Sequence, residues 1–107
     1  MIADLSKIAG EKVGYKLLEP ASNTKTPSRR MEAVTLGEFV EPYLEMHQSI
    51  RDLQAALRRE KMVREKDPYP DMATRSGPLF LEGLARAAHH TLCIYRALEI
   101  LEKHYQN

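Results

Sequence analysis

The sequence predicts an all-α fold: an antiparallel helical hairpin of two long helices with an N-terminal arm, dimerising into a four-helix bundle. Three observations predict it. Leu36, Phe39, Tyr43, Met46, Ile50, Leu53 and Leu57 recur at alternating spacings of three and four, the seam of a helix that packs on one side. Residues 76–105, "SGPLFLEGLARAAHHTLCIYRALEILEKHY", hold scarcely a point at which a helix could stop, and their middle is apolar on nearly every side. Between the two runs, "DPYPDMATRSG" brings Pro68, Pro70 and Gly77 together and lets the chain reverse.

The elements follow in order. Residues 1–20 hold a short amphipathic piece, Ile2, Leu5, Ile8 and Ala9, closed by Gly10, and then an apolar patch "VGYKLLEP". Residues 21–34, "ASNTKTPSRRMEAV", have no period of 2 or 3.6 and bury too little to offset the entropy of ordering them. Residues 1–34 are therefore expected as an arm and flexible linker, with the hairpin domain at 35–107. The first helix opens on Thr35 and Glu38, which have the spacing of a capping box. Pro42 lacks an amide proton, so either a kink or a start near Glu41 is expected. Beyond Leu57, "RREKMVREKD" offers only Met62 and Val63 for burial and is expected to fray or stand in solvent. In the second helix Ser76 or Gly77 provides the cap and Pro78 fits the first turn. Its stripe is Phe80, Leu84, Ala87, Thr91, Ile94, Leu98, Leu101 and Tyr105.

One partner helix cannot cover that second helix. Leu81, Ala85, Ala88, Leu92 and Tyr95 form a neighbouring stripe, and Cys93, Ala97 and Ile100 widen it further. Each Leu or Ile left in water forgoes about 1.5–3 kcal/mol, and a hairpin this small rarely closes an adequate core without disulfide, metal or association. A two-fold homodimer is the expected remedy.

Composition excludes several functions. Lys and Arg number 16 against 15 Asp and Glu, a formal net charge of +1, so no field steers nucleic acid or an anionic membrane to the chain. The basic doublets Arg29–Arg30 and Arg58–Arg59 lie outside any helix-turn-helix spacing. No stretch approaches the ~18 apolar residues of a membrane span, and the first residues lack the pattern of an export signal. The single cysteine, Cys93, has no partner within the chain, which suits a reducing compartment; a cytoplasmic protein is expected. Cys93 lies mid-helix, far from an N-terminus that would activate it. His89 and His90 are adjacent and point about 100° apart on a helix, a poor spacing for a shared metal. His47 and His104 read as boundary residues. Glu38, Glu41, Glu45, Glu82 and Glu99 show no paired arrangement. No catalytic residue, cofactor or metal is expected.

The order "GP", "FLE", an Ala- and His-containing stretch and "LEIL" in the second helix resembles small helical quorum-sensing antiactivators of the TraM and QslA type. "YLEMHQSIRDLQAAL" is consistent with their partner helix, so the resemblance covers residues 36–105 and leaves the arm aside. It implies a non-catalytic protein that binds a LuxR-type transcription activator and prevents its dimerisation or DNA binding. On that reading the expected partner-binding residues are Leu92, Tyr95, Ile100, Leu17 and Leu18. Self-association is expected to fall to Leu84, Ile94, Leu98 and Leu101 with the whole first-helix stripe, Leu36 to Leu57. The rival expectation is a small dimeric helical chaperone for a secretion or assembly system, which needs the same kind of apolar face.

Overall fold

The computed structural model describes residues 5–18, 30–66 and 78–106. Its elements are strands β1 (Lys12–Leu18) and β2 (Arg30–Thr35) and helices α1 (Leu36–Leu44), α2 (Ile50–Lys66) and α3 (Pro78–Tyr105), preceded by a single 3-10 turn at Leu5–Lys7. The fold is thus mixed, with three helices and a two-stranded antiparallel sheet among the described residues; the all-α hairpin of two long helices is overturned.

The first correction concerns the N-terminal third. Residues 12–18 and 30–35 pair antiparallel, with Tyr15 opposite Ala33, Lys16 opposite Glu32 and Leu17 opposite Met31. The register shifts between Lys12 and Gly14, and a bulge of this kind re-aims the side chains around it. Ile8, Val13 and Val34 join the same buried cluster as Ile94 and Leu101. The expected boundary at residue 34 therefore falls inside β2, and the segment read as an arm is half of the cover on α3. Residues 19–29, the rest of the expected linker, lie outside the described residues, as do the 67–77 loop and the Ser76 or Gly77 cap.

The second correction concerns the first helix. Thr35 does cap it: the Glu38 amide donates to Thr35 Oγ1 at 3.4 Å. The N-terminal segment caps it too, since the Leu36 amide donates to the Glu11 carbonyl at 2.6 Å and the Gly37 amide to the Ala9 carbonyl at 3.0 Å. These are the donors that a helix start leaves without partners. Pro42 lies inside α1, which ends two residues later. A new helix begins at Ile50, where the Asp52 amide donates to Ser49 Oγ at 3.2 Å. The heptad seam thus crosses a break, and Met46, in the middle of the seam, sits in the connection and is 75% exposed. Past Leu57 the helix continues regularly to Lys66, with Met62 and Val63 on its outside.

α2 packs on α3, and the Arg58–Glu102 ion pair and the Tyr95–Glu65 hydrogen bond tie the two helices together. Leu53 and Leu57 from α2 and Leu36 and Val40 from α1 bury completely against Ile94 and Leu101 of α3. The sheet takes another side of α3. There Gly14 comes so close that a Cβ on it would stand 2.6 Å from Cys93 Sγ. Ile100 is covered by the N-terminal segment, lining the same surface groove as Ile8. A second layer within the protomer thus supplies much of the cover that the sequence assigned to a dimer.

Gly14→Ala should cost about 1–3 kcal/mol, because the added methyl has no room beside the thiol. Placing Cys93→Ala in the same chain should return most of that loss. Denaturant titration of the two single variants and the double variant measures the coupling, and additive losses would mean that the two residues do not meet.

Candidate protein-binding face on the third helix

Once the core is filled, one face of α3 remains in water. Leu81 is 64% exposed, Leu84 36%, Leu92 61% and Tyr95 43%. Their spacings of three, eight and three set them on one side of the helix, with Ala85 and Ala88 in the interval. Scattered single apolar residues on a surface are ordinary, whereas apolar residues gathered along one helix face make the row a candidate binding surface.

Grooves run along both flanks of the row. Towards β1, a groove of about 490 Å³ is lined by Val13, Tyr15, His89, Leu92 and Arg96. Towards α2, one of about 500 Å³ is lined by Arg58, Met62, Tyr95, Leu98 and Glu102 among others. Tyr95 is fixed at its edge of that groove: Lys61 Nζ stands 3.6 Å over its ring and its hydroxyl donates to Glu65. A side chain held this way loses little further freedom on binding, the quality of an aromatic anchor.

The expected site residues divide sharply. Leu92 and Tyr95 are on the open face, whereas Ile100 is buried and unavailable to a partner. The side chains of Leu17 and Leu18 lie outside what is described. Of the residues expected in self-association, Leu36, Leu53, Leu57, Ile94, Leu98 and Leu101 are consumed in the protomer's own core, and Phe39, Tyr43 and Ile50 pack against it. The six core residues have no surface to offer a second molecule while the protomer stays folded, whereas Phe39, Tyr43 and Ile50 keep part of theirs. Leu84 is on the open face, and Met46 is exposed away from it, in the α1–α2 connection. Leu81, Tyr15 and Met62 belong to the face and its flanks but were not singled out as site residues. For Leu81 the signal existed, since it shares the stripe of Leu92 and Tyr95.

A smaller cavity of about 240 Å³ lies between β1, β2, α1 and α3, lined by Tyr15, Lys16, Val34, Phe39, Arg86, His89, His90 and Cys93. Two of its groups, Cys93 and His90, are held by their surroundings. Burial pushes the Cys93 thiol up, outweighing the lowering effect of a backbone hydrogen bond at Tyr15, so it stays a protonated thiol at neutral pH. His90 Nε2 lies 3.1 Å from Glu60 Oε1, and its ring packs 5.4 Å from that of Phe39. Glu60 also accepts from Arg64 at 3.3 Å. Among the described residues no three His, Cys, Asp or Glu side chains come together as a metal site, and no helix is long and apolar enough to cross a membrane. Comparison with protein families, curated proteins and solved structures finds no match for this chain.

The Tyr43 phenol is pushed up to about 12, first by burial and then by the nearby Glu60 carboxylate, with Arg64 opposing. The folded protein therefore holds this proton more tightly than the unfolded chain. The stability that this contributes is complete below about pH 10 and is lost as pH rises towards 12. Absorbance titration should show one tyrosine ionising about two units later than ordinary, and Tyr43→Phe should remove that late step. Slow modification of Cys93 by a thiol reagent in native buffer, with rapid reaction after unfolding, should accompany it.

Proposed function

We propose that this chain is a non-catalytic regulatory protein that captures another protein through the open face of α3. The partner is a LuxR-type transcription activator, which capture keeps from dimerising or holding DNA. The observation that carries the binding role is the row Leu81, Leu84, Leu92 and Tyr95, left in water on one helix after the protomer's core is complete. The resemblance of "FLE", the Ala- and His-containing stretch and "LEIL" to quorum-sensing antiactivators supplies the class of partner.

The physical mechanism is competition. A transcription activator that pairs through helices presents its own apolar helical surface, and an amphipathic helix held rigid by its core offers a ready alternative. Rigidity matters because a pre-ordered face avoids the entropy of ordering on binding. Lys61 and Glu65 brace Tyr95 from α2 for the same reason. Such a regulator works in the cytoplasm, where the unpaired Cys93 stays reduced.

Affinity purification from the host should recover a LuxR-type activator. Recovery of a secreted or filament-forming client would replace this reading with that of an assembly chaperone. Leu92→Glu and Tyr95→Ala should each weaken capture by tenfold or more, while far-ultraviolet circular dichroism stays that of the parent. Undiminished capture by both variants would remove this face from the site.

A further inference from the structure

We infer that in the partner-free protein the open face of α3 is closed by a second copy of this chain, α3 lying antiparallel on α3 about a two-fold axis at Ala88. The argument starts from the order of residues along the face. Taken from Leu81 to Tyr95, the row reads Leu81, Leu84, Ala85, Ala88, Thr91, Leu92, Tyr95. It is symmetric in size about Ala88: Ala85 mirrors Thr91, Leu84 mirrors Leu92 and Leu81 mirrors Tyr95.

A two-fold contact requires this kind of symmetry, because each patch must be complementary to itself. Reversing one helix against the other puts Leu81 beside Tyr95 of the second copy and Leu84 beside its Leu92, while Ala88 meets Ala88 at the crossing point. A small residue at that point lets two helix axes approach to the ~8 Å end of the usual range, so that the large side chains on either side interdigitate. Ala88 is itself exposed, so nothing among the described residues occupies the place.

Charge and area agree with the same occupant. None of the seven positions in the row carries a charge, and the two charged side chains that touch Tyr95 from α2, Lys61 and Glu65, are of opposite sign, so two identical faces meet without like charges along the row. Tyr15 and Met62, 49% and 68% exposed, stand beside the row and enlarge it. Together these side chains make an apolar patch of roughly several hundred Å², at the upper end of what a monomer exposes and a large part of the ~800 Å² per partner of a standard interface. The contact differs from a bundle built on the heptad seam, because every residue in it is free of the protomer's core.

This inference goes beyond the regulatory reading, since it concerns the purified chain alone and would stand if no transcription activator were ever captured. If both hold, the second copy and the partner exclude each other from one face, and the dimer is the form that waits.

The test is made on the purified full chain without any partner. Sedimentation at micromolar concentration should give twice the 12.3 kDa mass of the chain. Leu92→Glu and Ala88→Glu should each return the protein to a monomer with unchanged helix content. Ala88→Cys, placed on the axis, should form a covalent dimer on mild thiol oxidation with diamide, whereas Met46→Cys, away from the face, should not. A parent chain that sediments as a monomer overturns the proposal. So does a dimer that persists in Leu92→Glu while Ala88→Cys fails to cross-link.

Discussion

The structure depends on covering one helix from several directions at once. α3 is apolar around most of its circumference through its second half, and Ile94, Ala97 and Leu101 are sealed entirely. A straight helix can lay only one stripe against another helix, so further sides need different covers. α1 and α2 fill one, β1 and β2 a second, and the segment around Ile8 closes the end near Ile100. Glycine at position 14 is the condition for the second cover, since any side chain there would hold the sheet off the Cys93 thiol.

How far this was legible in the sequence depends on the range of the interactions. α3 could be read almost whole, because its start at Pro78 and its stripes are set by residues within a few turns of one another. The break before Ile50 was harder. Ser49 and Asp52 have cap spacing, but Tyr43, Met46 and Ile50 carry the seam straight across them, and periodicity does not reveal a short interruption. The sheet was invisible for a different reason. Gly14 interrupts one strand, Lys16 and Glu32 place charges in the middle of both, and the partner of each strand lies across residues 19–29. Strand propensity is weak when its stabilising pair is distant in sequence.

The same division holds for the open face of α3. Leu92 and Tyr95 are legible as a stripe beside the main seam, because that position follows from helix geometry alone. Ile100 is buried in the same cluster as Ile8, and nothing local in the sequence shows that the N-terminal segment returns to it. The seam residues Leu53 and Leu57 were assigned to a second molecule when the first already used them. A surplus of apolar residues thus foretells that cover is needed; it does not say whether the cover is a strand of the same chain or another copy.

The meeting of Gly14 with Cys93 joins β1, near the beginning of the chain, to the middle of its last helix. Native pairings of such wide separation raise the entropic barrier to folding and are made late. During synthesis on the ribosome the early strands emerge long before the helix that completes their packing, so this small protein cannot acquire its interior piecemeal. Its apolar early segments stay unprotected until α3 has left the exit tunnel, a window in which a nascent-chain holdase would have the most to grip.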